Sequence, residues 1–339
     1  MPLPSPSEPD PPSREREAQP WLRHLLTVIQ FAVTIGLLAY LFHDPKRRAD
    51  MAHAFLTADW RWLALSFLSA GVCEFFGVLR WQLFLRMLHI EVPLRAITRL
   101  FFIGAFFNQF LPGTTGGDVA RVLYLIHDYP GHKTAGFLSV AVDRLLAVLV
   151  LVIIGLLIAW GRASWFAQYT ATGIFMKWST IALFIMAVAL VASFILTSRQ
   201  LVYRLPRRFP FRKPIIKLSK LWQLCLENRH EALLGAIYTV PMLFAYFAAF
   251  GFAAKAFSSK ITFLDMTSIM PVLTVVSSVP LSLNGIGPRE WLANELLHRL
   301  CHVEFGIGTV ISLAGAGMYL IWGLLGGVFF LERLRGTRR

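Results

Sequence analysis

The chain has 339 residues, 56% of them hydrophobic and 15% charged. Uncharged runs recur at 25–42, 145–161, 178–198, 232–254 and 305–331, and about 20 apolar residues suffice to cross a bilayer core, which excludes an ordinary soluble domain. The net charge of +14 does not indicate nucleic acid. Nine basic residues fall between Arg199 and Arg229 and four between Arg333 and Arg339, and basic loops beside spans are the positive-inside signal, which also attracts anionic lipid.

In chain order, residues 1–20 are rich in Pro, Ser and Glu and read as a disordered cytoplasmic tail. Residues 22–42 read as an uncleaved first span, and 60–85 as a second that carries Glu74 and Arg80. The apolar stretch from Ile97 to Leu111 is stopped by Pro112-Gly113 after about 15 residues, too few for a crossing. A re-entrant hairpin with its tip at the Pro-Gly-Thr-Thr-Gly-Gly turn is therefore expected. A long helix over 133–160 holds Asp143-Arg144, and another span covers 178–196. Next comes a basic cytoplasmic loop, 199–229. Within it, 214–227 alternates Ile, Leu and Trp with Lys at helical spacing, which predicts a basic amphipathic helix on the membrane surface.

The second half repeats the plan. Residues 232–254 span, and 266–288 is uncharged but broken by Pro271, Pro280, Asn284, Gly285, Gly287 and Pro288. A polar-striped helix over 289–302 precedes the last span, 305–331. The expected fold is an all-α polytopic membrane protein with about six full spans and two re-entrant helical hairpins in inverted repeat, or eight full spans. It forms a single membrane domain, 21–335, with halves at about 21–198 and 230–335. With the basic loop and C-terminus on the cytoplasmic side, the N-terminus is cytoplasmic too and the hairpins enter from opposite faces, which leaves Lys46, Arg47 and Arg48 on the far side.

Function is expected at the two breaks. The first, Asn108 to Arg121, reads Asn-Gln-Phe-Leu-Pro-Gly-Thr-Thr-Gly-Gly-Asp-Val-Ala-Arg; the second, Pro280 to Glu290, reads Pro-Leu-Ser-Leu-Asn-Gly-Ile-Gly-Pro-Arg-Glu. Irregular backbone and charge are costly in hydrocarbon unless they line a wet cavity, and paired interruptions in corresponding halves point to a substrate site. Gly116 and Gly117 allow close approach to the backbone. Asp118 could cap a helix whose free N–H groups suit a phosphate, with Arg121 on the same face three residues on; Asp118 would then set the position of Arg121. The alternative is a purely structural pair.

Arg289 would meet the same ligand from the opposite side. The candidate substrate-binding set is Asn108, Gly116, Gly117, Asp118, Arg121, Asp143, Arg144, Asn284, Gly285, Gly287, Arg289 and Glu290, with no residue assigned as catalytic. Asp143-Arg144, and Glu74 with Arg80, read equally well as interhelical ion pairs. Cys73, Cys225 and Cys301 are too dispersed for a disulfide framework or a zinc site. The stretch holding Glu295, His298, Cys301, His302 and Glu304 lacks a His-Glu-x-x-His pattern, so neither metal nor cofactor is expected. No Gly-x-x-x-x-Gly-Lys-Ser/Thr motif occurs, so transport would be downhill, ion-coupled or driven by a partner.

These two motifs together resemble the signature of bacterial and archaeal flippase-like membrane proteins related to the transmembrane region of lysylphosphatidylglycerol synthetases, over roughly residues 20–335. The resemblance implies handling of amphipathic lipids, often by moving them between leaflets, beside phospholipid aminoacylation, isoprenoid-linked sugar chemistry or hopanoid pathways. The chain ends at Arg339 without the soluble aminoacyl-transferase domain of the full synthetases, so lysyl transfer is not expected. The expectation is a lipid-binding transporter of the cell inner (cytoplasmic) membrane, assisting translocation of an anionic or isoprenoid-linked lipid. Its partners would be membrane lipids and a cytosolic or membrane lipid-pathway enzyme, and not nucleic acid. The alternatives are an intramembrane lipid-modifying transferase with Asp118 or Glu290 as general base, and a lipid-sensing scaffold docked through 214–227.

Overall fold

The computed structural model describes residues 32, 34–37, 39–40, 43–110, 116–168, 170–198, 212–258, 260–278 and 285–336. The expected first span lies largely outside them, as do both hairpin tips, Pro112 and Asn284 included. Twelve helices follow: α1 Pro45–Leu56, α2 Trp60–Met87, α3 Leu94–Phe110, α4 Gly116–Asp128, α5 Lys133–Gly161, α6 Ala163–Phe166, α7 Thr170–Ser198, α8 Arg212–Glu227, α9 Arg229–Phe257, α10 Phe263–Ser278, α11 Pro288–Cys301 and α12 Ile307–Gly336. Among the described residues five helices are long and apolar enough to cross a membrane: α2, α5, α9, α12 and the Lys177–Ser198 part of α7. The protein is an all-α polytopic membrane protein.

Length separates these spans from the hairpins. Helices α3 and α4 have 17 and 13 residues, and α10 and α11 have 16 and 14. At 1.5 Å per residue they reach roughly 20–26 Å, short of the ~30 Å hydrocarbon core. Each pair folds back on itself instead. In the first pair the backbones nearly touch: a Cβ at Gly117 would run into the carbonyl oxygen of Gly104. Pro271, expected to break the second segment, instead lies inside α10. A proline in a membrane helix costs one backbone hydrogen bond, and neighbouring groups can supply a substitute.

The centre of the molecule is the contact between α2 and α9, which pack along most of their lengths. Ser66 Oγ donates to the Ala249 carbonyl (2.7 Å), Ser69 Oγ to Ala245 (2.9 Å) and Arg80 Nη1 to Thr239 Oγ1 (3.1 Å). Numbers rise on one helix as they fall on the other, so the two run antiparallel. Each is the span before a hairpin. Because α2 and α9 run antiparallel, the hairpins that follow them start from opposite ends of this contact, the arrangement expected of inverted repeats. Packing follows the same symmetry. The first hairpin leans on α12, the span after the second hairpin, while α10 leans on α5, the span after the first.

Ion pairs fasten both contacts near their ends. Arg333 of α12 holds Asp128 of α4 (2.5 Å), and Arg162, just past α5, holds Asp265 of α10 (2.5 Å). The amphipathic α8 forms as its spacing predicts, with Lys217 and Lys220 exposed. Its apolar side is docked on the bundle: Trp222 Nε1 donates to Ser193 Oγ (2.8 Å) and the ring meets Phe194 edge-on.

Candidate functional site

Between the two hairpins, beside the α2–α9 contact, lies a cavity of about 330 Å³. Its uncharged polar lining draws on both hairpins, with Asn108 and Gln109 from α3 and Thr274, Ser277 and Ser278 from α10. Phe101, Met242, Tyr246, Phe250 and Tyr319 supply apolar surface. The charged side chains at its surface are Glu74 and Arg80 from α2, Asp118 and Arg121 from α4, Asp143 and Arg144 from α5, and Arg289 from α11.

A chain of ion pairs ties the first hairpin to the spans. Arg80 Nε lies 2.8 Å from Asp143 Oδ1, though its N–H is not aimed well enough to make a hydrogen bond. Arg121 Nη2 bridges Asp143 Oδ2 and Asp118 Oδ1, at 3.3 Å each. Arg144 closes the chain on Asp118 Oδ2 through Nη2 (2.6 Å) and Nε (2.7 Å). The Asp118–Arg121 contact at i,i+3 is the pair expected from the spacing. Arg80, Arg121, Asp118 and Asp143 are nearly sealed, whereas the Arg144 side chain is 52% exposed. Arg121 also stacks 4.7 Å above the Trp81 ring, a cation–π contact that compensates part of its desolvation.

The first-hairpin amides expected to be free are partly taken. Asn108 Oδ1 accepts from the Gly117 N–H (2.8 Å), so Asn108 caps α4 while Asp118 turns to the arginines. Arg80 makes the interhelical ion pair that the sequence allowed, with Asp143 of α5, whereas Glu74 makes none among the described residues. Six residues rotate a helix by about 240°, which carries Arg80 away from Glu74.

The second motif is built differently. Gly287 has φ +99°, a conformation that costs glycine little, and is the N-cap of α11. Glu290 Oε2 reaches back to the Gly287 N–H (2.7 Å), while Oε1 accepts from Arg289 Nη2 (2.6 Å), Arg289 Nε (3.0 Å) and Ser312 Oγ (3.1 Å). Glu290 is completely buried (0% exposed) and sits behind Arg289, which alone of the two reaches the cavity.

Of the sequence candidates, Asn108, Asp118, Arg121, Asp143, Arg144 and Arg289 line one cavity. Gly117, Gly285, Gly287 and Glu290 shape the backbone around it, Gly116 begins α4, and Asn284 lies outside the described residues. Sequence reasoning did not place Gln109, Tyr246, Thr274, Ser277 and Tyr319 in the site. Gln109 lies within the first motif beside Asn108, and a polar stripe within α10 was the signal for Thr274 and Ser277.

The family model for the lysylphosphatidylglycerol synthase transmembrane region matches residues 27–327, nearly the whole chain. The chain belongs to this family. A UPF0104 membrane protein from Pyrococcus horikoshii is 28% identical over 133 residues, covering 39% of this chain and 38% of that protein. Both hairpins and every charged residue of the cavity fall within the span matched by the family model.

Proposed function

We propose that this family member binds the phosphate-bearing head group of an anionic or isoprenoid-linked lipid in the cavity and assists its movement between leaflets of the cytoplasmic membrane. The observation that carries this reading is that arginines from both repeats, Arg121 and Arg144 on one side and Arg289 on the other, meet at one cavity between opposed hairpins. About 330 Å³ is at the lower end of small-ligand pockets, enough for a head group and too little for acyl chains as well. The chains would stay in the bilayer while the head group crosses, and the long apolar flanks of the spans suit that division. Arg144 is the side chain best placed to exchange its partner for a lipid phosphate, because half of it already faces open space. Both termini are assigned to the cytoplasmic side on the strength of the basic 199–229 loop.

A general-base role for Asp118 or Glu290 has less support, since every oxygen of both carboxylates is already engaged by a cation, an amide or a hydroxyl. The test is leaflet exchange of labelled phosphatidylglycerol and labelled polyprenyl phosphate in proteoliposomes. Wild type should exceed protein-free vesicles, and Arg144→Ala and Arg289→Ala should each lose most of the excess. Equal exchange with and without protein would reject the reading.

A further inference from the structure

Among the described residues Glu74 is the one charged side chain of the cavity that forms no ion pair and no hydrogen bond. It sits at the middle of α2, hence at the middle of a span. An ionised carboxylate at that depth is costly, and an unpaired one is relieved of that cost by taking up a proton.

The charges facing it give that proton a consequence. On its own helix lie Arg80 and the Cys73 thiol; α4 contributes Arg121 and Asp118, α5 contributes Asp143 and Arg144, and α11 contributes Arg289. Among the described residues Tyr246 of α9 and Tyr319 of α12 complete the titratable groups of the cavity, and no histidine lines it. The thiol and the phenols ordinarily ionise only above neutral pH, at about 8.5 and 10. Four arginines face three paired carboxylates, Asp118, Asp143 and the Glu290 behind Arg289. The site therefore carries one surplus positive charge when Glu74 is neutral and none when it is ionised. A monoanionic head group meets an oppositely charged site only in the first state.

We propose that Glu74 is a proton-binding site linked to head-group binding: it takes one proton from water as a monoanionic phosphodiester enters and returns it as the head group leaves. This rests on the head-group reading above. The only bond made is the O–H of the carboxylic acid, formed from carboxylate and hydronium and broken on release. Proton and monoanion travel together with no net charge, so a pH gradient drives the movement and a membrane potential alone does not.

The experiment measures binding of phosphatidylglycerol, acyl-labelled with a fluorophore, to the full chain in micelles between pH 5.5 and 8.5, where the phosphodiester itself does not titrate. Wild-type Kd should rise with pH, approaching tenfold per unit for one linked proton. Glu74→Gln, which keeps the shape and cannot ionise, should bind with a Kd that is flat across the range, and Glu74→Ala should be equally flat. In proteoliposomes a pH gradient should drive the probe to one leaflet with wild type and not with either variant. A flat wild-type profile, or a wild-type slope retained in both variants, overturns the linkage and leaves the head-group reading standing. Absence of probe binding at every pH in wild type rejects the head-group reading and takes the linkage with it.

Discussion

Asp143→Asn should cost far more stability than Asp118→Asn, although both remove one carboxylate from the same network. Asp143 serves Arg80 at 2.8 Å and Arg121 at 3.3 Å. Once it is neutral, Arg121 keeps Asp118 at 3.3 Å, while Arg80 keeps only the Thr239 hydroxyl. Arg80 is then a buried cation without a counter-ion, a defect that costs about 3–5 kcal/mol. Asp118→Asn leaves no such orphan, because Arg121 retains Asp143 and Arg144 is half exposed and can turn to water. Its expected cost is about 1 kcal/mol, the scale of a partly exposed pair. The assay is reversible unfolding in mixed micelles with rising SDS, read by tryptophan fluorescence. A second substitution supplies the control: Arg80→Met in the Asp143→Asn background removes the orphan and should restore more than half of the loss. Equal costs for the two single changes, or no recovery in the double variant, would refute the assignment of Asp143 as the counter-ion of Arg80.

Other expectations follow from the same packing. Glu290→Gln should destabilise by about 3–5 kcal/mol, because one amide cannot accept from both the Gly287 N–H and Arg289, whereas Glu295→Gln, whose partner Arg299 is 44% exposed, should cost under about 1 kcal/mol in the same assay. Gly326→Ala should cost at least about 1–3 kcal/mol, since its Cβ would strike the Phe102 carbonyl of α3. In the same helix Gly317→Ala meets nothing within 4 Å and should be neutral or stabilising by about 0.5–1 kcal/mol. Burial pushes the Cys225 thiol of α8 up to about 11. At pH 8 it should hold roughly two-hundredfold less thiolate than an ordinary cysteine and resist maleimide until α8 is released from the bundle.

The helical hairpins were legible because their signal is local. An apolar run of about 15 residues ended by Pro112-Gly113 cannot cross a bilayer whatever surrounds it. Asp118 and Arg121 were legible as a pair for the same kind of reason, since i,i+3 spacing fixes their face on any helix. Pro271 misled because the breaking tendency of a proline is also local, and packing overrode it inside α10. Asn108, four residues before the turn, gave no sign that it would cap α4; that needed α3 and α4 close enough for the Gly104–Gly117 contact.

Run length and break position by themselves determined an all-α membrane protein with two candidate motifs, because insertion into hydrocarbon responds to composition over about 20 residues. Only the tertiary structure decided which charges meet. Arg80 joins Asp143 rather than Glu74, Glu290 turns away from the cavity behind Arg289, and Glu74 is left unpaired. In a low-dielectric interior a charge takes the partner that the crossing of helices brings within reach, and the antiparallel contact of α2 with α9 joins residues more than 150 positions apart in the chain.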